Sequence, residues 1–177
     1  MHTQQRLWCE GVKQKFPSYF TGKKVLEIGS ANINGDLRYL FTDCEYIGID
    51  VAPYGGVDVV SVAHEYDVPD GSFDVVYSAS SLEHDMYWQK TLPKMVALTK
   101  QEGLMFFSCG STWSPHGCNL HMPEHSLSSK ISEEWANYYK NITVNDVVSV
   151  LDLTGLFREW QVGLDSGMDL TFWGVRR

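Results

Sequence analysis

Val25-Leu26-Glu27-Ile28-Gly29-Ser30-Ala31-Asn32 decides how this chain folds. Val25 to Ile28 is an apolar run carrying one acid and closed by Gly29, the pattern of a short buried parallel strand that ends in a turn. Tyr46-Ile47-Gly48-Ile49-Asp50 repeats the pattern and ends in a carboxylate. Gly29 and Asp50 are separated by close to the ~20 residues that place an acid on a ribose bound over a glycine turn. A bound nucleoside is implied.

Working outward, the residues on both sides alternate between strand and helix patterns. Upstream, Thr3 to Phe16 carries Leu7, Trp8, Val12 and Phe16 at helical spacing before Pro17, so residues 1–20 form a leading amphipathic helix. Downstream, a short helix is expected over Asp36 to Phe41 and a third strand over Val57 to Val62. Asp70-Gly71 is a turn, Phe73 to Ser78 a fourth strand, Met86 to Thr99 a helix bent near Pro93, and Leu104 to Ser108 a fifth strand. Thr143 to Leu153 reads as a helix with Thr143 as N-cap and Gly155 ending it. Phe157 to Leu164 and Met168 to Val175 are strands joined by the hairpin signal Asp165-Ser166-Gly167. The expected fold is α/β: a doubly wound, mostly parallel seven-stranded Rossmann-like sheet with a C-terminal antiparallel hairpin strand, in a single domain over 1–177.

Composition narrows the function. The 177 residues suit one domain, and 44% hydrophobic with 20% charged is ordinary for a globular chain. With 22 Asp and Glu against 14 Lys and Arg, the net charge of −8 repels phosphate backbones, so nucleic acid is not an expected partner. The basic runs Lys13 to Lys15, Lys23-Lys24 and Arg176-Arg177 are short and separated, as on solvated helix faces and ends. No apolar run approaches the ~20 residues of a membrane span, and Met1 to Gln14 lacks a signal peptide's hydrophobic region. Cys9, Cys44, Cys109 and Cys118 form no Cys-x-x-Cys pair, as in a reducing cytoplasm, which is the expected location.

In sheets of this kind a ligand sits at the carboxyl ends of the strands, where strand order reverses. The Gly29 turn, Asp50 and the Ser78 to His84 segment meet there, and amides at a helix start after Gly29 are expected to bind an anion. A dinucleotide site wants Gly-x-Gly-x-x-Gly, whereas here Gly29 is followed by Ala31 and then nothing until Gly35. That argues against a nucleotide-dependent oxidoreductase or epimerase.

In these segments the chain resembles the class I S-adenosylmethionine-dependent methyltransferases, whose first motif is acid-x-Gly-x-Gly-x-Gly. Glu27 and Gly29 match it, while Ala31 and Ile33 depart from it. The resemblance extends through Tyr46 to Asp50 and Asp70-Gly71-Ser72-Phe73-Asp74-Val75-Val76. Ser81-Leu82-Glu83-His84 is similar to the type 11 branch, and Glu102-Gly103-Leu104 and the closing hairpin also fit; together these cover roughly residues 20 to 175. It implies the cofactor S-adenosylmethionine, with Glu27, Gly29 and Ser30 at its amino-acid end and Asp50 on both ribose hydroxyls. Val62, Ala63 and His64 would flank the adenine. Val62 stands where the family often has Asp, leaving adenine recognition to backbone groups of Ala63 and His64. Val51 beside Asp50, and Ser78 ending the fourth strand, complete the cofactor-binding candidates.

The implied reaction is direct in-line methyl transfer to a small-molecule or glycan-like acceptor, which needs alignment, exclusion of water and, for an acceptor of high pKa, a general base. The base candidates are His84, after the fourth strand, and His116, His121 and His125 in the long segment 110–141, read as an acceptor-side loop or lid. Trp113, Trp135, Tyr138 and Tyr139 would wall the acceptor pocket. A zinc site at His116, Cys118, His121 and His125 fits no regular module, and no metal is expected. A non-catalytic module binding the cofactor or its demethylated product is the alternative. Expected partners are a small-molecule acceptor and, at most, further copies of the chain, with no membrane.

Overall fold

The computed structural model describes residues 3–112 and 126–177. Seven strands form one sheet in the order β3-β2-β1-β4-β5-β7-β6. They are β1 (Lys24–Ile28), β2 (Glu45–Asp50), β3 (Val59–Val60), β4 (Phe73–Ala79), β5 (Thr99–Cys109), β6 (Phe157–Leu164) and β7 (Leu170–Arg176). The pairs among β1 to β5 are parallel, and β7 runs antiparallel to both β5 and β6. Successive strands step away from β1 in one direction through β2 and β3 and in the other through β4 and β5. The switch point therefore lies between β1 and β4.

Alternation along each strand divides the apolar residues between two faces. On one face Leu26, Ile28, Val76, Met105 and Phe107 pack with Leu92 and Met95 of α2 (Trp88–Leu98). Val147 of α4 (Val144–Val150) and Leu153 of α5 (Leu153–Leu156) extend that core. On the other face Val25, Val75, Tyr77, Leu104 and Phe106 pack with Cys9 and Val12 of α1 (Thr3–Lys15) and with Phe20. Cys9, Cys44 and Cys109 are free thiols, while Cys118 lies outside the described residues.

Several local expectations need correcting. The helix expected over Asp36 to Phe41 is only a 3-10 turn at Arg38–Leu40. Asn32 Oδ1 accepts from the Gly35 amide at 3.1 Å and Asp36 Oδ1 from the Arg38 amide at 3.1 Å, so side chains take amides that a helix would need. β3 spans two residues rather than six, at an exposed sheet edge. Gly155 does not end the Thr143-capped helix. That helix stops at Val150, and Gly155 lies inside α5, where its amide donates to Asp152 Oδ1 at 3.0 Å. Thr143 and Asp146 form a reciprocal capping box, as the N-cap reading requires. Beyond β5, the Ile142 amide donates to the Gly110 carbonyl at 3.0 Å, closing the base of the long segment, which includes α3 (Glu133–Asn137).

Candidate active site

A cleft of about 650 Å³ opens at the carboxyl ends of β1, β2 and β4. Its lining includes Ile28, Gly29, Ala31, Asp50, Val51, Val62, Ala63, Ser80, Ser81 and His84, with Ser126, Leu127, Ser128 and Trp135 from beyond β5. Asp50 reaches it from the end of β2. Its Oδ2 accepts from the Ala31 amide at 3.0 Å and its Oδ1 from the Val51 amide at 2.8 Å. A carboxylate has about four acceptor positions, so each oxygen retains one for a ligand hydroxyl. Burial pushes the Asp50 carboxyl above its ordinary value, against the two amide hydrogen bonds.

Gly29 has a φ of +78°, a conformation that favours glycine. A Cβ there would lie 2.1 Å from Ser81 Cβ and 2.2 Å from Ser81 Oγ. The obstacle to a side chain is thus Ser81 itself, before any ligand is considered. Ser81 is held from below: its hydroxyl pairs with Ser78 Oγ at 2.7 Å and donates to the Ile28 carbonyl at 3.2 Å.

The turn is not an anion cradle. The Gly29 and Ser30 amides donate to the Ile49 carbonyl, the Ala31 amide to Asp50, the Asn32 amide to the Gly55 carbonyl, and the Ile33 amide to the Ala31 carbonyl. With no α-helix following and every one of these donors taken, the expected helix-start site is absent. The turn contributes shape.

Glu27 is the largest departure from expectation. Because residues alternate along β1, Ile28 faces the cleft and Glu27 faces the opposite side of the sheet. There its Oε2 accepts from the Tyr46 hydroxyl at 2.5 Å, and that hydroxyl also pairs with Tyr77. Burial pushes Glu27 up to about 7, opposed by its hydrogen bonds from the tyrosines. Ser30, Ser78 and His64 likewise do not line the cleft. Ser30 is buried against Gly48, Ser78 supports Ser81, and His64 lies 4.7 Å from the Tyr87 ring. His84 does line it, with its ring 5.2 Å from that of Tyr139 in an edge arrangement. His116, His121 and His125, like Cys118 of the candidate zinc set and Trp113 of the expected acceptor wall, lie outside the described residues.

Residues 1–163 match the family model described as "Methyltransferase domain". The chain belongs to this family of S-adenosylmethionine-dependent methyltransferases. A methyltransferase from Aquifex aeolicus has a similar fold at a TM-score of 0.60 and 16% identity, over 95% of this chain and 89% of that one. The 1,6-didemethyltoxoflavin-N1-methyltransferase of Burkholderia thailandensis, solved with 1,6-didemethyltoxoflavin and S-adenosylhomocysteine, matches at 0.59 and 13% identity, over 99% and 92%. A phosphoethanolamine N-methyltransferase of Haemonchus contortus, solved with S-adenosylmethionine, matches at 0.61 and 20% identity; 90% of this chain corresponds to 38% of that longer one. Among curated protein sequences nothing matches this chain.

For a methyltransferase domain the cleft fits the cofactor in its essentials. It stands at the switch point, and Asp50 offers two acceptor positions suited to vicinal hydroxyls. The sequence brings the Ser78 to His84 segment and the 110–141 loop to this edge without singling out Ser80, Ser81, Ser126, Leu127 or Ser128, all of which line the cleft. Asp85 lies outside both segments and carries no local signal. Among the described residues no helix is long and apolar enough to cross a membrane.

Proposed function

We propose that this domain transfers the methyl group of S-adenosylmethionine to a small-molecule acceptor by direct in-line displacement, with the cofactor seated in the cleft over Gly29. The observation that carries the reading is Asp50 at the end of β2, in the cleft, with an acceptor position left on each oxygen. Gly29 and Ala31 supply the close backbone surface. Val51, Val62 and Ala63 give an apolar wall for the adenine, with no carboxylate in the place of Val62. Glu27, Ser30, His64 and Ser78 act from behind the cleft, by holding the strands and loops that form it.

Bound S-adenosylmethionine supplies an activated methyl group on a sulfonium, so the chain has to align, desolvate and, for a weakly acidic acceptor, remove a proton. Among the described residues His84 is the base candidate that lines the cleft, and Trp135 and Leu127 form apolar surface there. Calorimetry with S-adenosylhomocysteine and transfer of labelled methyl into a metabolite extract test the reading. Cofactor binding with transfer supports it; binding without transfer to any acceptor favours the non-catalytic module; no binding rejects it. His84→Gln, with His116, His121 and His125 replaced singly in the same way, should leave cofactor affinity near the parent value. The variant that loses the base should slow transfer by about tenfold to ten-thousandfold.

A further inference from the structure

Asp85 lines the same cleft and has no part in the cofactor reading. It precedes α2, where its Oδ1 accepts from the Tyr87 amide at 2.8 Å and its Oδ2 from the Thr91 hydroxyl. These bonds fix the carboxylate but do not neutralise it. Among the described residues no Lys or Arg nitrogen pairs with Asp85, and neither Lys nor Arg lines the cleft. The sequence from 113 to 125 contains neither residue type. Burial pushes the Asp85 carboxyl above its ordinary value, opposed by its hydrogen bonds and by His64.

Aromatic surface lies close by. The Tyr87 ring sits 5.8 Å from that of Trp135, and Trp135 with Leu127 lines the cleft. Along the described lining an acceptor meets two carboxylates, no Lys or Arg and an apolar wall. A phosphate or carboxylate group beside Asp85 would be repelled with no Lys or Arg of that lining to offset it, whereas a cation there gains. Asp50 is occupied by the ribose in the reading above, which leaves Asp85 for the acceptor.

We propose that the methyl acceptor is an organic amine bound as a cation, with its ammonium on Asp85 and its apolar body against Trp135 and Leu127. The inference rests on the methyltransferase reading. An ammonium nitrogen has no lone pair, so it anchors, and another atom of the same molecule is the nucleophile. That atom's lone pair forms the bond to the methyl carbon, the carbon–sulfur pair returns to sulfur, and the displaced proton passes to a cleft imidazole or to water.

Three probes of one shape and different charge test this: benzylamine, benzyl alcohol and benzoate, titrated into protein saturated with S-adenosylhomocysteine. Benzylamine should bind about tenfold or more tightly than benzyl alcohol, the scale of one charge-assisted hydrogen bond, and benzoate more weakly than either. Asp85→Asn keeps an oxygen for the Tyr87 amide and should erase the preference for benzylamine while S-adenosylhomocysteine binds as in the parent. Should Asp85→Asn fail to fold, Asp85→Ser retains a helix-start acceptor without the charge and makes the same comparison. Benzoate binding as tightly as benzylamine, no benzylamine binding, or an unchanged preference in the charge-free variant overturns the proposal. Failure of the parent to bind S-adenosylhomocysteine instead overturns the cofactor reading beneath it.

Discussion

Glu27 of β1 and Asp50 of β2 fall on the same face of the sheet, since Glu27 pairs with Gly48 and Asp50 lies two residues further on, yet the two acids are in opposite situations. Asp50 reaches the cleft, is partly exposed, and takes two backbone amides while keeping acceptor positions for a ligand. Glu27 is 4% exposed, faces away from the cleft, and accepts from a tyrosine hydroxyl that is itself paired with another. The spacing from Gly29 points to Asp50 as a cofactor contact, and the family resemblance implies the same of Glu27. The difference shows that an acid at a strand's carboxyl end can reach the cleft, whereas one set a residue deeper and met by core tyrosines has to be satisfied internally.

The sharpest way to break this comparison is at Gly29, in the turn that follows Glu27 and meets Asp50. Gly29→Val should abolish cofactor binding and destabilise the fold by at least about 3 kcal/mol, because the new Cβ would occupy the position of Ser81 and the residue would hold a positive φ. Denaturant melts and calorimetry read the two effects. Gly29→Ala combined with Ser81→Gly should recover most of the lost stability relative to Gly29→Ala alone; no recovery would show that Ser81 is not the obstacle.

Asp50→Ala comes next. Loss of a charged acceptor for two hydroxyls should weaken S-adenosylhomocysteine binding by roughly 1.5–3 kcal/mol, about ten- to a hundredfold, with the fold retained. An unchanged dissociation constant in the folded variant rejects Asp50 as the ribose contact. The reciprocal variant, Glu27→Gln, should leave cofactor affinity unchanged, and a drop comparable to that of Asp50→Ala would return Glu27 to the ligand site.

Glu27→Gln should instead alter the pH dependence of stability. Burial pushes Glu27 and Glu83 up to about 7 from an ordinary value of 4.5. The folded protein therefore keeps protons that the unfolded chain has released, and this contribution is full below 4.5 and lost as pH rises through about 7. Each group adds a slope of up to about 1.4 kcal/mol per pH unit inside that window. The carboxyls held below their ordinary range, Asp74 and Asp146, act only at lower pH. Thermal midpoints should fall by several degrees between pH 5 and 7.5, and Glu27→Gln should flatten the decline. The smallest effect is expected outside the cleft lining, where Lys130 lies 5.7 Å from the Tyr54 ring centroid. Lys130→Ala should cost cofactor binding no more than about 0.5–1 kcal/mol, measured by the same calorimetry.

The sequence by itself determined the strand succession, the one antiparallel strand in the closing hairpin and the placing of Gly29 and Asp50 at the sheet's ligand edge. Each depends on short-range rules: apolar runs bounded by turn residues, and a fixed separation of two strand ends. It also determined the family, because several weak segments occur in the right order. Tertiary structure alone decided the roles of Glu27, Ser81 and Asp85. Glu27 was decided by the Tyr46 and Tyr77 hydroxyls that meet it inside the core, and Ser81 by the approach of the β4 loop to the Gly29 turn. The loss of the helix after Gly29 likewise depended on where the Asn32 and Asp36 side chains and the Gly55 carbonyl found amides to bind. Asp85 enters the proposed acceptor site only through what surrounds it: a cleft whose described lining holds no Lys or Arg, and an apolar wall of Leu127 and Trp135 from 40 or more positions away. Such contacts join residues distant in the chain, and local pattern carries no record of them.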